Sequence, residues 1–319
     1  MKKILTLILT IILGVSAVGC NLTSKEVKII SGNSLDGISI SKLIKEENEI
    51  KKGYNTTYNI ENNKEKLEKS LDNEKYDIAI VPTDMATKVY NKNSNYQICA
   101  SIGEGSYYLV TSDPTITGFN STLINKEVAI IEENSMIDII SKSILNKNNV
   151  DDSKVNFKYV SSAPEIVTTL ALGNIRTGIV PETSLTTLLY KHSGLKILTS
   201  TNEAYEKAFN IKEGYSQFSI IVKKDFAKDN KEYVNEFLSK VKSSIDFVNK
   251  NPLQAGAYGE ELSIPIKPQV LSKAIKRCNL KFIIVDEFKN NYKELFNILY
   301  NYNKEVVGGT VIDESIYYK

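Results

Sequence analysis

Tryptophan is absent from this 319-residue chain, histidine occurs once and cysteine three times. A His/Cys metal centre needs about four clustered ligands. His192, Cys20, Cys99 and Cys278 stand at no such spacing, so no metal site is expected. Arginine is nearly missing too, with Arg176 and Arg277 the only two. Bidentate clamps on phosphates or carboxylates, which favour arginine, must therefore be few. No sign of charge dominates: Lys+Arg 40 against Asp+Glu 38 gives +2, too balanced for a nucleic-acid binder working by counterion release. There is no GxSxG elbow, P-loop or HExxH, so signatures of catalysis and of cofactor binding are missing and no enzyme is expected. What remains is 42% hydrophobic and 24% charged, an ordinary globular composition with length for two lobes.

The one long apolar run lies at the start. Lys2 and Lys3 precede Ile4–Leu13, and small residues lead to Cys20, the layout of a leader removed from the mature protein. The run is shorter than the roughly 20 residues that span a membrane. Ala17-Val18-Gly19-Cys20 resembles a bacterial lipobox, in which the cysteine is lipidated and becomes the new N-terminus. Residues 1–19 are then a signal peptide and 20–26 a lipid-anchored tether. The body is expected outside the cytoplasm, on the outer face of the cell membrane, with no nucleic-acid partner and as a monomer. Cys99 sits in an apolar stretch and reads as a small buried hydrophobe, although a bond to Cys278 stays open.

Beyond the tether, short apolar runs alternate with helical periodicity, which predicts βαβ units and a largely parallel sheet. Strands are expected at Val27–Ile30, Tyr54–Ile60, Tyr76–Val81, Glu127–Ile131, Val155–Val160 and Thr177–Val180. Helices are expected between them, at Gly37–Lys52, to Leu71, Thr83–Lys92, Ser135–Asn146, Pro164–Leu172 and Thr183–Lys191. Two similar series each end in strand, proline and helix: YDIAIVPTD and RTGIVPETS. Ser106–Ser112 and Tyr215–Val222 bracket the second series and read as crossover strands between lobes. The expected fold is thus α/β, two Rossmann-like lobes joined by two crossovers: residues 27–107 and 214–319 form lobe one, 108–213 lobe two. From Asp225 onward the pattern is mainly helical and completes lobe one.

In open α/β sheets ligands bind beyond the carboxyl ends of strands, where helix starts present free N–H groups. Small polar residues gather at four such junctions: Asn33 and Ser34, Thr83 and Asp84, Asn134 and Ser135, Glu182 and Thr183. Each junction on its own is explained by helix capping; four in one architectural place point to a shared cleft. Tyr107 and Gln217, on the crossover strands, join the candidate lining. His192 stands before Gly194 at a helix end, where a histidine meets the last carbonyls. The pairs Glu132-Glu133 and Asp151-Asp152 lie beside polar loop residues and read as solvated or capping groups.

YDIAIVPTDMA, ALGNIRTGIVPETS, VKKDFAKDNKEYVNEFL, SSIDFVNKNP and the ending GGTVIDESIYY, in this order behind a lipobox, carry a resemblance. The chain resembles solute-binding lipoproteins of ATP-binding-cassette importers with the type II periplasmic-binding-protein fold. It is most similar to the group of sulfonate, nitrate and thiamine-pyrimidine-precursor receptors. The resemblance implies capture of a small solute between the lobes and delivery to permease and ATPase subunits. It departs from the family at Thr183, where a second proline is usual, and at Ile275-Lys276-Arg277-Cys278-Asn279, where Ile-Pro-Arg-Cys-Asn is frequent. An enzyme on the same fold and a surface sensor or adhesin are the alternatives.

Overall fold

The computed structural model describes residues 24–319 apart from 48 and 193. The leader, the lipobox and Cys20 lie outside the described residues. Among the described residues eleven strands are arranged in two sheets. In chain order they are β1 (Lys25–Gly32), β2 (Tyr54–Glu61), β3 (Ile78–Pro82), β4 (Tyr96–Glu104), β5 (Tyr107–Thr111), β6 (Glu127–Ile131), β7 (Asn156–Val160), β8 (Thr177–Pro181), β9 (Lys196–Ser200), β10 (Ser216–Lys223) and β11 (Ile283–Ile284). The first sheet runs β11-β4-β10-β3-β1-β2 and the second β7-β6-β8-β5-β9.

The sheets are mixed rather than largely parallel. β1 pairs in parallel with β2 and β3, and β6 with β7 and β8. β10 is antiparallel to β3 and β4, and β5 is antiparallel to β8 and β9. The reason is the route of the chain. β3 and β8 end where the two sheets face each other, whereas β5 and β10 begin there, having just crossed over. Neither is shared between the sheets: the crossings are the connections before them, at Gly105–Ser106 and after the helix Thr201–Phe209. Tyr107 consequently belongs to the second sheet, opposite Pro181.

Most expected elements recur within a few residues. Exceptions are the helix expected over Gly37–Lys52, which is broken at Ile40 and ends at Glu46, and four segments with no expectation: β4, β9, β11 and the helix Thr201–Phe209. In β4 Ser101 interrupts the apolar run, yet it is fully buried because its hydroxyl pairs with that of Ser216 at 2.8 Å. A buried serine satisfied across a strand pair reads as a break in one dimension only. The long helix Lys231–Lys250 buries Tyr233, Val234, Phe237, Leu238, Val241, Ile245 and Val248, a stripe at helical spacing that closes one face of lobe one. Cys99 and Cys278 are both free and buried, and burial pushes both thiols up. His192 ends the helix Ser184–Lys191, its Nδ1 accepting from the Gly194 N–H at 3.2 Å.

The two crossings lie side by side. The Gly105 N–H donates to the Tyr215 carbonyl at 3.1 Å, and Asn279 Nδ2 donates to the Gly105 carbonyl at 2.7 Å. A methyl group on Gly105 would overlap the Tyr215 ring. Gly105→Ala is therefore expected to lower unfolding free energy by about 1–3 kcal/mol through overpacking, seen as an earlier urea midpoint. A variant as stable as the parent would show that the Tyr215 ring moves aside freely.

Candidate functional site

The strands that pair in parallel all end on the same side of their sheet, and there each gives way to a helix. In lobe one these junctions bring Asn33 and Ser34 after β1, Lys64 after β2, and Pro82 and Asp84 after β3 to one cavity of about 540 Å³. Lobe two contributes Glu132 and Ser135 after β6, Ser161 and Ser162 after β7, and Glu182 and Thr183 after β8. Tyr107 and Gln217, at the starts of β5 and β10, join the lining with Tyr215 and Phe218. Eight of the ten residues expected at a cleft thus line it.

Thr83 and Asn134 do not. Thr83 is fully buried, its hydroxyl bonded to those of Ser216 at 3.1 Å and Ser219 at 2.8 Å. As the first residue of the helix Thr83–Asn93 it is turned back against β10, so it joins strand to helix instead of facing the cavity. Asn134 is exposed in a left-handed turn (φ 59°), with its N–H held by Asp138 at 2.9 Å. Glu182 lines the cavity, but its carboxylate is already engaged. Arg277 Nε donates to it, Thr186 Oγ donates to it at 2.9 Å, and Arg277 Nη2 donates to Thr186 at 2.6 Å.

The serines are engaged as well. Ser135 Oγ accepts from the Asp138 N–H at 3.3 Å and donates to the Ile131 carbonyl at 2.9 Å. Ser162 caps the helix Ala163–Ala171, and Ser34 donates to Asp36 at 2.8 Å. Gln217 differs. It is 8% exposed, and its Oε1 accepts from the Ser106 N–H at 2.7 Å and hydroxyl at 2.9 Å. An N–H can only donate, which fixes the amide orientation.

Charge enters at one rim. Lys64 faces Glu132 across the lobes at 3.7 Å. Nearby Asp84 raises the Lys64 ammonium above its ordinary value against the opposing effect of burial, with Glu132 adding to the rise. Burial, then Asp84 and Glu132, push the Tyr107 hydroxyl up. Lys64 and Glu132 gave no sign in the sequence, since one sits in a lysine-rich helix and the other in a pair expected to be solvated or capping. Their meeting depends on how the lobes face each other.

Residues 51–255 match the family model described as NMT1/THI5 like. The chain belongs to the NMT1/THI5-like family. No curated protein sequence matches it. An ABC transporter structure from Parabacteroides distasonis aligns with a TM-score of 0.79 and 19% identity, over 93% of this chain and 99% of the other. The periplasmic aliphatic sulphonate binding protein of Escherichia coli aligns with a TM-score of 0.73 and 8% identity, over 92% of each chain. A Candida albicans protein described as having the generic periplasmic binding protein fold aligns at 0.58 and 13% identity, over 91% and 92%. These likenesses establish the two-lobed periplasmic-binding-protein fold for this NMT1/THI5-like chain.

Within that fold the lobes also touch beside the cavity. Arg277 and Lys273 reach from lobe one to Glu182 and Thr186 and to the Tyr190 ring, 4.4 Å from the Lys273 ammonium. Tyr108 OH donates to the Arg277 carbonyl at 2.9 Å. The Glu182 side chain is wholly buried and that of Arg277 is 31% exposed. Removing the guanidinium strands a buried carboxylate, so Arg277→Gln is expected to cost on the order of 3 kcal/mol. Adding Glu182→Gln to it should restore part of that loss. Melting curves of the parent and the two variants check this, and an Arg277→Gln protein as stable as the parent would refute the coupling.

Proposed function

We propose that this chain captures a small polar solute between its lobes and delivers it to the permease and ATPase subunits of an ABC importer. The observation that carries this reading is the cavity: three strand ends from each lobe open on one space of about 540 Å³, the size that encloses a metabolite. The ABC transporter and sulphonate-binding structures among the neighbours support it. A solute touching both lobes binds the closed arrangement better than the open one, and so shifts the population toward closure. The reading is of a binding protein rather than an enzyme, because the hydroxyls of Ser34, Ser135, Ser161 and Ser162 are already bonded within their own junctions. Among the described residues no group of three or more His, Cys, Asp or Glu is placed to hold a metal.

We further propose that Cys20 carries lipid and holds the body, as a monomer, at the outer face of the cell membrane. Metabolic labelling with a fatty-acid analogue should mark the parent and not Cys20→Ala; equal labelling of both would remove the anchor. The lobes, 27–107 with 214–319 and 108–213, are proposed to bend near residues 105–110 and 211–217, with Tyr107, which pairs in the second sheet, moving with lobe two. Small-angle scattering should show a smaller radius of gyration when a solute found by thermal-shift screening is added. Comparison of free and bound crystal structures should place the backbone rotations in those two windows. Bending elsewhere, or no contraction on binding, would count against closure.

A further inference from the structure

The cavity's uncommitted groups say what kind of solute suits it, provided that the cleft is the solute site. Gln217 carries the first indication. With Oε1 fixed on Ser106, its Nε2 is directed the other way and has no partner among the described residues. The residue lines the cavity and is over nine-tenths buried. The nitrogen is a donor facing the cavity with no acceptor of the protein's own, and an amide N–H can only donate, so the site suits a solute with an acceptor there.

Asp84 is adjacent. Phe218 on β10 lies opposite Pro82 on β3, which sets Gln217 beside the start of the helix that carries Asp84. The Asp84 carboxylate makes no hydrogen bond or ion pair among the described residues. Lys64 is the only cation lining the cavity among those residues, against Asp84 and Glu132; Glu182 is matched by Arg277, which lies outside the lining. The balance leaves one negative charge without a counterpart. Tyr107, Tyr215 and Phe218 line the same space, and aromatic faces attract cations.

Helix starts would ordinarily draw an anion, but those of lobe two are supplied from within. Asp138 accepts from the Asn134 N–H, Glu165 from the Ser161 N–H, and Glu182 from the Thr186 N–H. Each helix thus already holds a carboxylate at its start.

We propose that the cleft selects a solute bearing a protonated amine close to a hydrogen-bond acceptor, the amine meeting Asp84 and the acceptor meeting Gln217, over a lone anion such as a sulfonate. Three probes on one three-carbon chain test it by calorimetric titration and thermal melting of the purified full chain near neutral pH: propanolamine, homotaurine and propanesulfonate. The two amines are expected to bind at least roughly tenfold more tightly than propanesulfonate, a difference of about 1.4 kcal/mol. Asp84→Asn should erase that preference, and Gln217→Leu should weaken both amines. Propanesulfonate binding that exceeds amine binding and is lost in Gln217→Leu would overturn the amine class while leaving the cleft as the site. Amine binding unaltered by either substitution would put the solute elsewhere and overturn both readings. Failure of either amine to bind at millimolar concentration would also overturn the amine class.

Discussion

Where the chain passes from one lobe to the other it is hydrogen-bonded to the segment that brings it back. Gly105 N–H donates to the Tyr215 carbonyl, and the next residue, Ser106, donates to Gln217 from both backbone and hydroxyl. Asn202, from the helix before the return, accepts from the Tyr215 N–H at 3.2 Å and the Gly105 N–H at 3.3 Å. Gly214 takes a left-handed φ of 56° and has no room for a side chain against Asn202, so the close approach requires glycine. This join brings β5 and β10 into their sheets from the cleft side, which makes both antiparallel to β8 and β3. It also sets Tyr107 and Gln217 between the ends of the parallel strands. The cavity's lining follows from that one arrangement.

Apolar packing reinforces it. One continuous cluster joins Ile30 and Leu67 of lobe one to Leu109 and Ile139 of lobe two, with Tyr205, Tyr215 and Leu295 between them. Shearing the lobes across it would expose apolar area at about 25 cal/mol per Å². A motion proposed to keep the cluster buried would instead rotate about the crossings. On the cleft side the lobes meet through ion pairs, Lys64 with Glu132 and Arg277 with Glu182. Water can replace those contacts when they part, as it cannot replace apolar packing.

The polar groups divide into two sets that look alike as residue types. Thr83, Ser135, Ser162 and Glu182 are engaged in holding strand to helix, helix start to loop, or lobe to lobe. Gln217 and Asp84 keep unpaired atoms beside the cavity. The difference lies in neighbours far along the chain. Ser106 pins Gln217 across 111 residues, and Arg277 takes Glu182 across 95. Sequence position shows which residues stand at a junction, and only the partners show which are available to a solute.

Periodicity sufficed for most strands and helices because it reports a local demand: a buried strand needs a short apolar run, and a helix needs an apolar stripe. The prolines after YDIAIV and TGIV likewise marked where strands give way to helices, and so where a cleft had to be. It did not suffice for β4, whose Ser101 is tolerated inside only because Ser216 answers it, nor for the sheets' mixed direction, which depends on the crossings. Thr83 looked like a cleft residue and is a core one, because a side chain at a helix start is aimed by what packs beside it. By itself the sequence determined the two α/β series, the helix caps and the place of the junctions, all set by contacts within a few residues. The tertiary structure alone decided the facing of Lys64 and Glu132, the capture of Glu182 by Arg277 and the unpartnered amide nitrogen of Gln217. Each of these joins segments that meet only once both lobes have folded around their crossings.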